Sequence, residues 1–432
     1  MNSTLIINAR LYTLDDQQPS ASAIAIDQGR ILAVGSTDAL LAEFAGRLAV
    51  EDLHGKVVLP GLTDAHLHLQ YYAFELDMVD CETATYAECL QRVAERARQT
   101  PPGEWLRGHG WNQNAWVDGS PSAADLDAAA PHNPLFLMHK SHHSAWVNQA
   151  ALRLAGVTRA TPDPEGGRLG RTEDGALDGI LYESAMALVE QHIPEPSLDK
   201  ITQTIHKALP TLWQVGLTGV HDFDRGDCFR ALQILHAAGE LHLRVLKSIP
   251  LEDLPYAAGI GLRRGFGDDM LRIGGVKAFM DGALGPQTAA MLAPYEGSAD
   301  ERGILMMDAE QLFEHARLAA ENGLPMAVHA IGDRAVHEVL NAYQQLRRYE
   351  HAQLGAPDLR HRIEHVQLLH PDDAGRLAEL GIIASMQPIH ATSDLYMADR
   401  YWGGRARLSY AWRTQLAQGA RLAFGSDAPV ES

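Results

Sequence analysis

Val58-Leu59-Pro60-Gly61-Leu62-Thr63-Asp64-Ala65-His66-Leu67-His68 is an apolar run that breaks at Pro-Gly, resumes, and ends in His-x-His. On a strand, positions i and i+2 share a face, so His66 and His68 point the same way at the strand's C-terminal end. Two imidazoles converging there make a metal-ligand arrangement. In a (β/α)8 barrel, that end of the strand is where active sites are built.

Working outward, the pattern predicts eight buried strands, at 57–68, 216–223, 243–249, 273–280, 324–330, 361–366, 381–387 and 421–425. Amphipathic stretches at 201–214, 228–238, 309–322, 334–349, 371–380 and 410–417 read as helices between most of them. This is the count of a (β/α)8 TIM barrel, an α/β fold. An open doubly wound sheet has the same local texture, but no GxGxxG opens a helix here. Residues 1–57 alternate apolar and polar in short runs, which predicts a small antiparallel sheet, the N-terminal part of a β-sandwich. A short helix is expected at 37–46, opened by Thr37 or Asp38 and closed by Gly46. The barrel domain then runs over 58–432. Residues 80–200, rich in Trp, His, Pro and Gly, are too long for a loop and read as a subdomain inserted after the first strand.

Composition narrows the function. The 432 residues carry 36 Lys+Arg against 55 Asp+Glu, a net charge of −19, and 46% are hydrophobic. That excess of negative charge argues against a nucleic-acid or anionic-membrane partner, since both require a basic face. A small-molecule substrate, with possible homo-oligomerisation, is the expectation. The three cysteines, Cys81, Cys89 and Cys228, have no CxxC spacing and suggest a reducing compartment. The N-terminus shows no export signal and no run is long enough to span a bilayer, so a cytoplasmic location is expected. Histidine is abundant, at 21 residues, and its placement matters because it is the commonest metal ligand.

VVLPGLTDAHLHL (57–69), with the small sheet before it, resembles the amidohydrolase superfamily. HHSAWVN (142–148), VKAFMDGALGPQTA (276–289), AVHAIGDRA (327–335), RIEHVQ (362–367), MQPIHATSD (386–394) and AFGSDAPVE (423–431) resemble its amidohydrolase-3 branch, the YtcJ-like and N-substituted formamide deformylase-like proteins. The resemblance covers nearly the whole chain in collinear order. It implies metal ligands at His66, His68, Lys277, His329, His365 and Asp427, with Lys277 carrying carbon dioxide as a carbamate. It also implies one or two divalent ions, most simply zinc, and Asp427 as the catalytic proton carrier. These positions coincide with the predicted ends of strands 1, 4, 5, 6 and 8. The residue types suit this chemistry, since neutral imidazoles bind a borderline metal, a buried lysine loses its charge readily, and a carboxylate can accept and return a proton.

His143 matches a family segment in which a histidine faces the substrate, and His142 could serve instead. Asp281, directly after the lysine strand, is expected to shape the pocket floor. His390, at the seventh strand's end, could contact substrate or cap its loop. Trp105, Trp111 and Trp116 could wall the pocket or pack the insertion. Glu364 reads as a supporting carboxylate, and His221 and Asp222 as hydrogen-bonded core residues. Pro286-Gln287 stands where the family pattern has Ser-Arg, so the resemblance gives no partner for an anionic substrate group. The chain stops five residues after Asp427, which leads to the expectation of a C-terminal truncation lacking the eighth helix, weaker stability and self-association. The expected activity is hydrolysis of an amide-like, non-peptide C–N bond of a small molecule. The alternatives are an ester or lactone hydrolase with the same site, or a non-catalytic barrel scaffold.

Overall fold

The computed structural model describes residues 3–140 and 143–430, and its largest sheet is the expected barrel sheet. In chain order its strands are β1 (Leu62–Leu67), β2 (Leu217–Asp222), β3 (Arg244–Pro250), β4 (Leu271–Phe279), β5 (Met326–Ala330), β6 (Arg362–His365), β7 (Ile383–Met386) and β8 (Arg421–Phe424). They are neighbours in sequence order, and the pairings from β3 to β8 are parallel. Parallel strands must be buried on both faces, which is why they read as near-continuous Val, Ile, Ala and Met. Their outer faces pack on helices Ala309–Glu321 and Asp333–Gln353 through Val328, Ile363 and Ala384 against Leu312, Val339 and Leu346. The first of these helices opens with a reciprocal capping box between Asp308 and Gln311, two orphan amides satisfied at one terminus.

The chain divides into two compact units. One runs through Thr63 and includes Leu212–Gly219; the other holds Asp64–Thr211 and everything from Val220 onward. The first contains a four-stranded and a three-stranded sheet. Here the antiparallel expectation needs correction. Thr4–Ile7 does pair antiparallel with Ala23–Asp27, but it runs parallel to Ala49–Asp52, and Arg10–Tyr12 runs parallel to Val57–Val58. A period of two reports which side chains share a face and carries no information on strand direction. The sheets share a core in which Ala9 and Leu11 meet Ile24. The short helix spans Thr37–Phe44 and is capped by Ser36, one residue before the expected cap.

The predicted strand at 57–68 is two elements. Val57–Val58 belongs to the small sheet, and Leu62–Leu67 begins the barrel sheet, with Pro60-Gly61 between them. Proline cannot donate to a ladder, so the break falls where the residue type requires it.

The insertion folds around a six-stranded sheet from Val79–Asp80 to Leu177–Glu183 with its own aromatic core. Trp111, Trp116 and Trp146 pack together there with Tyr86. Trp111 is 1% exposed and donates from Nε1 to the Leu137 carbonyl, so it packs the insertion rather than walling a pocket. All three cysteines are free and buried. Among the described residues, no helix is long and apolar enough to cross a membrane.

Candidate metal centre

Strand β1 puts Asp64 and His66 on one face, as the spacing requires, with His68 directly after its last residue, and each of the three makes different contacts. Asp64 is buried and accepts from the backbone of His66 and from both the amide and hydroxyl of Ser426. His66 is fully buried, with Nδ1 2.7 Å from Glu364. His68 lies at the rim, with Nδ1 3.0 Å from Asp224. The segment after β8 crosses to meet them: Asp427 donates its backbone N–H to the His66 carbonyl, and the His68 amide donates to the Ala428 carbonyl.

That crossing carries the Asp427 carboxylate into a ring of imidazoles. Oδ1 lies 3.3 Å from His66 Nε2 and 3.5 Å from His68 Nε2. Oδ2 lies 3.4 Å from His390 Nε2. Donor atoms of His66, His68 and Asp427 fall within 4.8 Å of one another, as do those of His365, His390 and Asp427. Lys277, 3% exposed, reaches from β4 to within 3.3 Å of His66 Nε2, its ammonium over the rings of Phe223 and Phe279. The His329 ring lies 4.6 Å from that of His365, which is 4.9 Å from that of His66. The structure thus gathers His66, His68, Lys277, His329, His365, His390 and Asp427 at one end of the barrel sheet.

An ionised carboxylate or a carbonyl can only accept, so each such partner fixes a ring tautomer. Glu364 holds the proton of His66 on Nδ1, and the Gly282 carbonyl, 3.0 Å from His329 Nε2, holds that ring the other way round. The remaining nitrogen of each keeps its lone pair. Burial holds His66 at about 4 and His329 at about 3, with Lys277 adding to both, so neither ring competes for a proton near neutral pH. Burial also brings Lys277 down to about 8. Burial alone would lower His68, but its contacts with Asp224 and Asp427 outweigh that and lift it to about 9. Burial would raise Asp427, yet hydrogen bonds from His390 and His68 hold it far below the ordinary carboxylate range. The neutral imidazoles of His66 and His329, beside the Asp427 anion and a lysine that sheds its proton easily, form a donor set suited to a divalent cation, which would displace the proton that His68 holds toward Asp427.

Backbone strain marks the same place. Asp427, His365 and Val366 take φ of 60°, 75° and 46°. Left-handed backbone at non-glycine residues costs roughly 1–3 kcal/mol each and persists where the surroundings over-determine it.

Of the expected substrate contacts, Asp281 lies behind the ring, with Oδ1 3.5 Å from His329 Nε2, while Trp111 and His143 stand apart from it. The Asp281 carboxylate is fully buried and accepts from the amides of Ala290, Ile331 and Gly332, which makes it an anchor for the loops after β4 and β5. Burial raises it to about 7. Trp111 belongs to the insertion's core. His143 is exposed in the insertion, with Nδ1 3.0 Å from Glu183; His142 lies outside the described residues. Conversely, Asp64, Asp224, Phe223 and Gln387 touch the ring and were not singled out from the sequence. Asp64 carried a signal, its i−2 spacing from His66 on the same strand face. Gln387, 2.8 Å from His365 Nδ1, and Asp224 act across the barrel and left no local signature.

A model of the amidohydrolase family matches residues 49–432. The putative amidohydrolase YtcJ of Bacillus subtilis (strain 168) is 32% identical over 438 residues, covering 98% of this chain and 80% of the relative. The N-substituted formamide deformylase of Arthrobacter pascens is 30% identical, covering 99% and 81%. A solved metal-dependent hydrolase from Pyrococcus furiosus superimposes with a TM-score of 0.81 at 29% identity, over 100% of this chain and 86% of that one.

Proposed function

The chain belongs to the amidohydrolase family, and on that premise we propose a metal-dependent hydrolase that cleaves an amide-like, non-peptide C–N bond in a neutral small molecule. The observation that carries it is the ring itself: imidazoles whose outward nitrogens are engaged, facing one low-pKa carboxylate. His66, His68 and Asp427 would hold one zinc-like ion, and His329 and His365, with Lys277 between, a second. Such an ion supplies Lewis acidity toward the carbonyl oxygen and lowers the pKa of water from ~15.7 toward ~7. Lys277 would add carbon dioxide through its neutral amine, forming an N–C bond and releasing a proton, which gives an anionic bridge where a lysine would otherwise repel a cation.

In the reaction, Asp427 takes the proton of the attacking water as the C–O bond forms, then returns it to the nitrogen as the C–N bond breaks. His390, hydrogen-bonded to Oδ2, steadies the carboxylate between those transfers. The half-exposed rings of Phe279, 5.2 Å from His329, and Tyr71, 6.0 Å from His68, offer apolar walls for a substituent on that nitrogen. The deformylase relative and the glutamine at position 287 both favour such a neutral substrate.

The test is a panel of N-alkyl and N-aryl formamides and acetamides beside matched esters, run with zinc-loaded protein. Turnover of the amides that disappears in the His66→Ala/His68→Ala double variant together with the metal is expected. Esters hydrolysed with amides untouched would replace this reading with the esterase one, and a metal-loaded protein inert toward both would favour a scaffold.

A further inference from the structure

Behind His68, the end of β2 and the turn after it carry two buried carboxylates in the run His221-Asp222-Phe223-Asp224. Asp222 accepts from the Leu69 amide at 2.9 Å, and Asp224 Oδ2 accepts from the Gln70 amide at 2.5 Å. These are the first amides of the helix Leu69–Leu76, which begins directly after His68 and has no side-chain cap of its own. Asp224 Oδ1 is left for His68 Nδ1, at 3.0 Å. Asp222, Asp224 and Cys228 superficially resemble a cation site, being mutually within reach. The ammonium of Lys247 takes that place. It is 1% exposed, pairs with Asp222 Oδ2 at 2.7 Å and donates to the backbone carbonyl of Asp224.

We propose that Asp224 is a positioning residue for the metal centre, holding His68 in the Nδ1–H tautomer with Nε2 turned to the cation, and that Lys247 fixes the turn that carries it. Three contacts on one carboxylate-bearing residue leave little freedom. One oxygen grips the helix start, the other the imidazole, and the carbonyl is tied to Lys247. The His68 ring needs this help more than its neighbours do. His66 is fully enclosed, whereas the His68 side chain is 20% exposed at the rim and has room to rotate or to present the wrong nitrogen. Carboxylate partners of ligand imidazoles fix ring and tautomer, and their loss costs about 10–100-fold in metal affinity. The inference rests on the reading of His68 as a ligand, and the experiment separates the two.

Zinc affinity is measured on the metal-free full chain by competition with a chromophoric chelator, and the cobalt-loaded visible spectrum is recorded in parallel. Asp224→Ala should weaken zinc binding about 10–100-fold and shift the cobalt bands, with Asp224→Asn intermediate because it keeps an acceptor oxygen. Lys247→Met should lower affinity in the same direction with a smaller spectral change. If Asp224→Ala melts far below wild type, Asp224→Asn decides: it keeps the shape, so an unchanged affinity and spectrum in a folded Asn variant overturns the proposal. Wild-type affinity in Asp224→Ala, with binding lost in His68→Ala, overturns the positioning role and leaves the ligand assignment standing. Wild-type affinity in His68→Ala overturns both.

Discussion

On the proposed reading Asp427 would serve as ligand and proton carrier at once, and its surroundings suit both roles. His68 and His390 hold it ionised, with the imidazoles of His66 and His68 beside Oδ1 and that of His390 beside Oδ2. Asp427→Asn keeps the size and removes the proton acceptor, so kcat on the best amide should fall about 10²–10⁴-fold. Zinc content, measured by elemental analysis, should fall less sharply, because the histidines remain. Lys277→Ala should lower bound metal and activity together, since it removes the amine proposed to carry the carbamate. Propionate, a short carboxylate, should restore part of both. Rescue by propionate and none by an uncharged amide of the same size is the discriminating result. At this scale the residues of the ring were legible because they sit at strand ends in short motifs. Their partners were not: 156 positions separate His68 from Asp224, and 298 separate His66 from Glu364. Such contacts exist only after the sheet has curved.

Between elements, the seam where the segment after β8 meets β1 depends on one residue without a side chain. A Cβ on Gly425 would lie 2.4 Å from the His66 nitrogen and 2.7 Å from Asp64 Oδ1. Both neighbours are fixed, the first as backbone and the second by its bonds to Ser426 and His66. Gly425→Ala must therefore push the Asp427 segment away from His66. The expected outcome is a cost of about 1–3 kcal/mol in folding, the usual penalty for overpacking a tight contact, and a larger loss in zinc affinity. Denaturant melts of metal-free protein and zinc titrations measure the two separately. A variant that melts normally and binds zinc normally would show that the seam can yield. The seven strands after β1 were legible to within about two residues because both faces are buried and Gly or polar turns delimit them. The pairing directions in the small sheets were not, for alternation is blind to direction. Nor was the split at Pro60-Gly61, since both halves of the run are apolar.

For the molecule as a whole, burial of so many imidazoles ties folding to pH. His66 is held at about 4 and His221 and His329 at about 3, with His361 and His365 also lowered, each mainly by desolvation. An imidazole whose folded pKa lies below its unfolded value near 6.5 leaves the unfolded chain binding more protons between those values. Stability from such a group is fully present above ~6.5 and is lost as the pH falls toward the folded pKa. The buried carboxylates Asp64, Asp224 and Asp281 are shifted upward by desolvation and work in the opposite sense, so the bare melting curve mixes the two. A difference between variants removes that mixture. His221 suits the purpose: it faces Arg362, whose Nη1 lies 2.6 Å from its Nδ1, and it is outside the ligand ring. At pH 5, about 1.5 pH units below its unfolded value, keeping it neutral costs on the order of 2 kcal/mol that is absent at pH 7.5. His221→Asn retains an acceptor for Arg362 and does not titrate. Its stability relative to wild type in metal-free protein should therefore improve by roughly 1–2 kcal/mol between pH 7.5 and pH 5. Urea melts of both chains at several pH values check this. A stability difference that does not change with pH would mean that His221 already takes up its proton in the folded chain, with Arg362 moved aside.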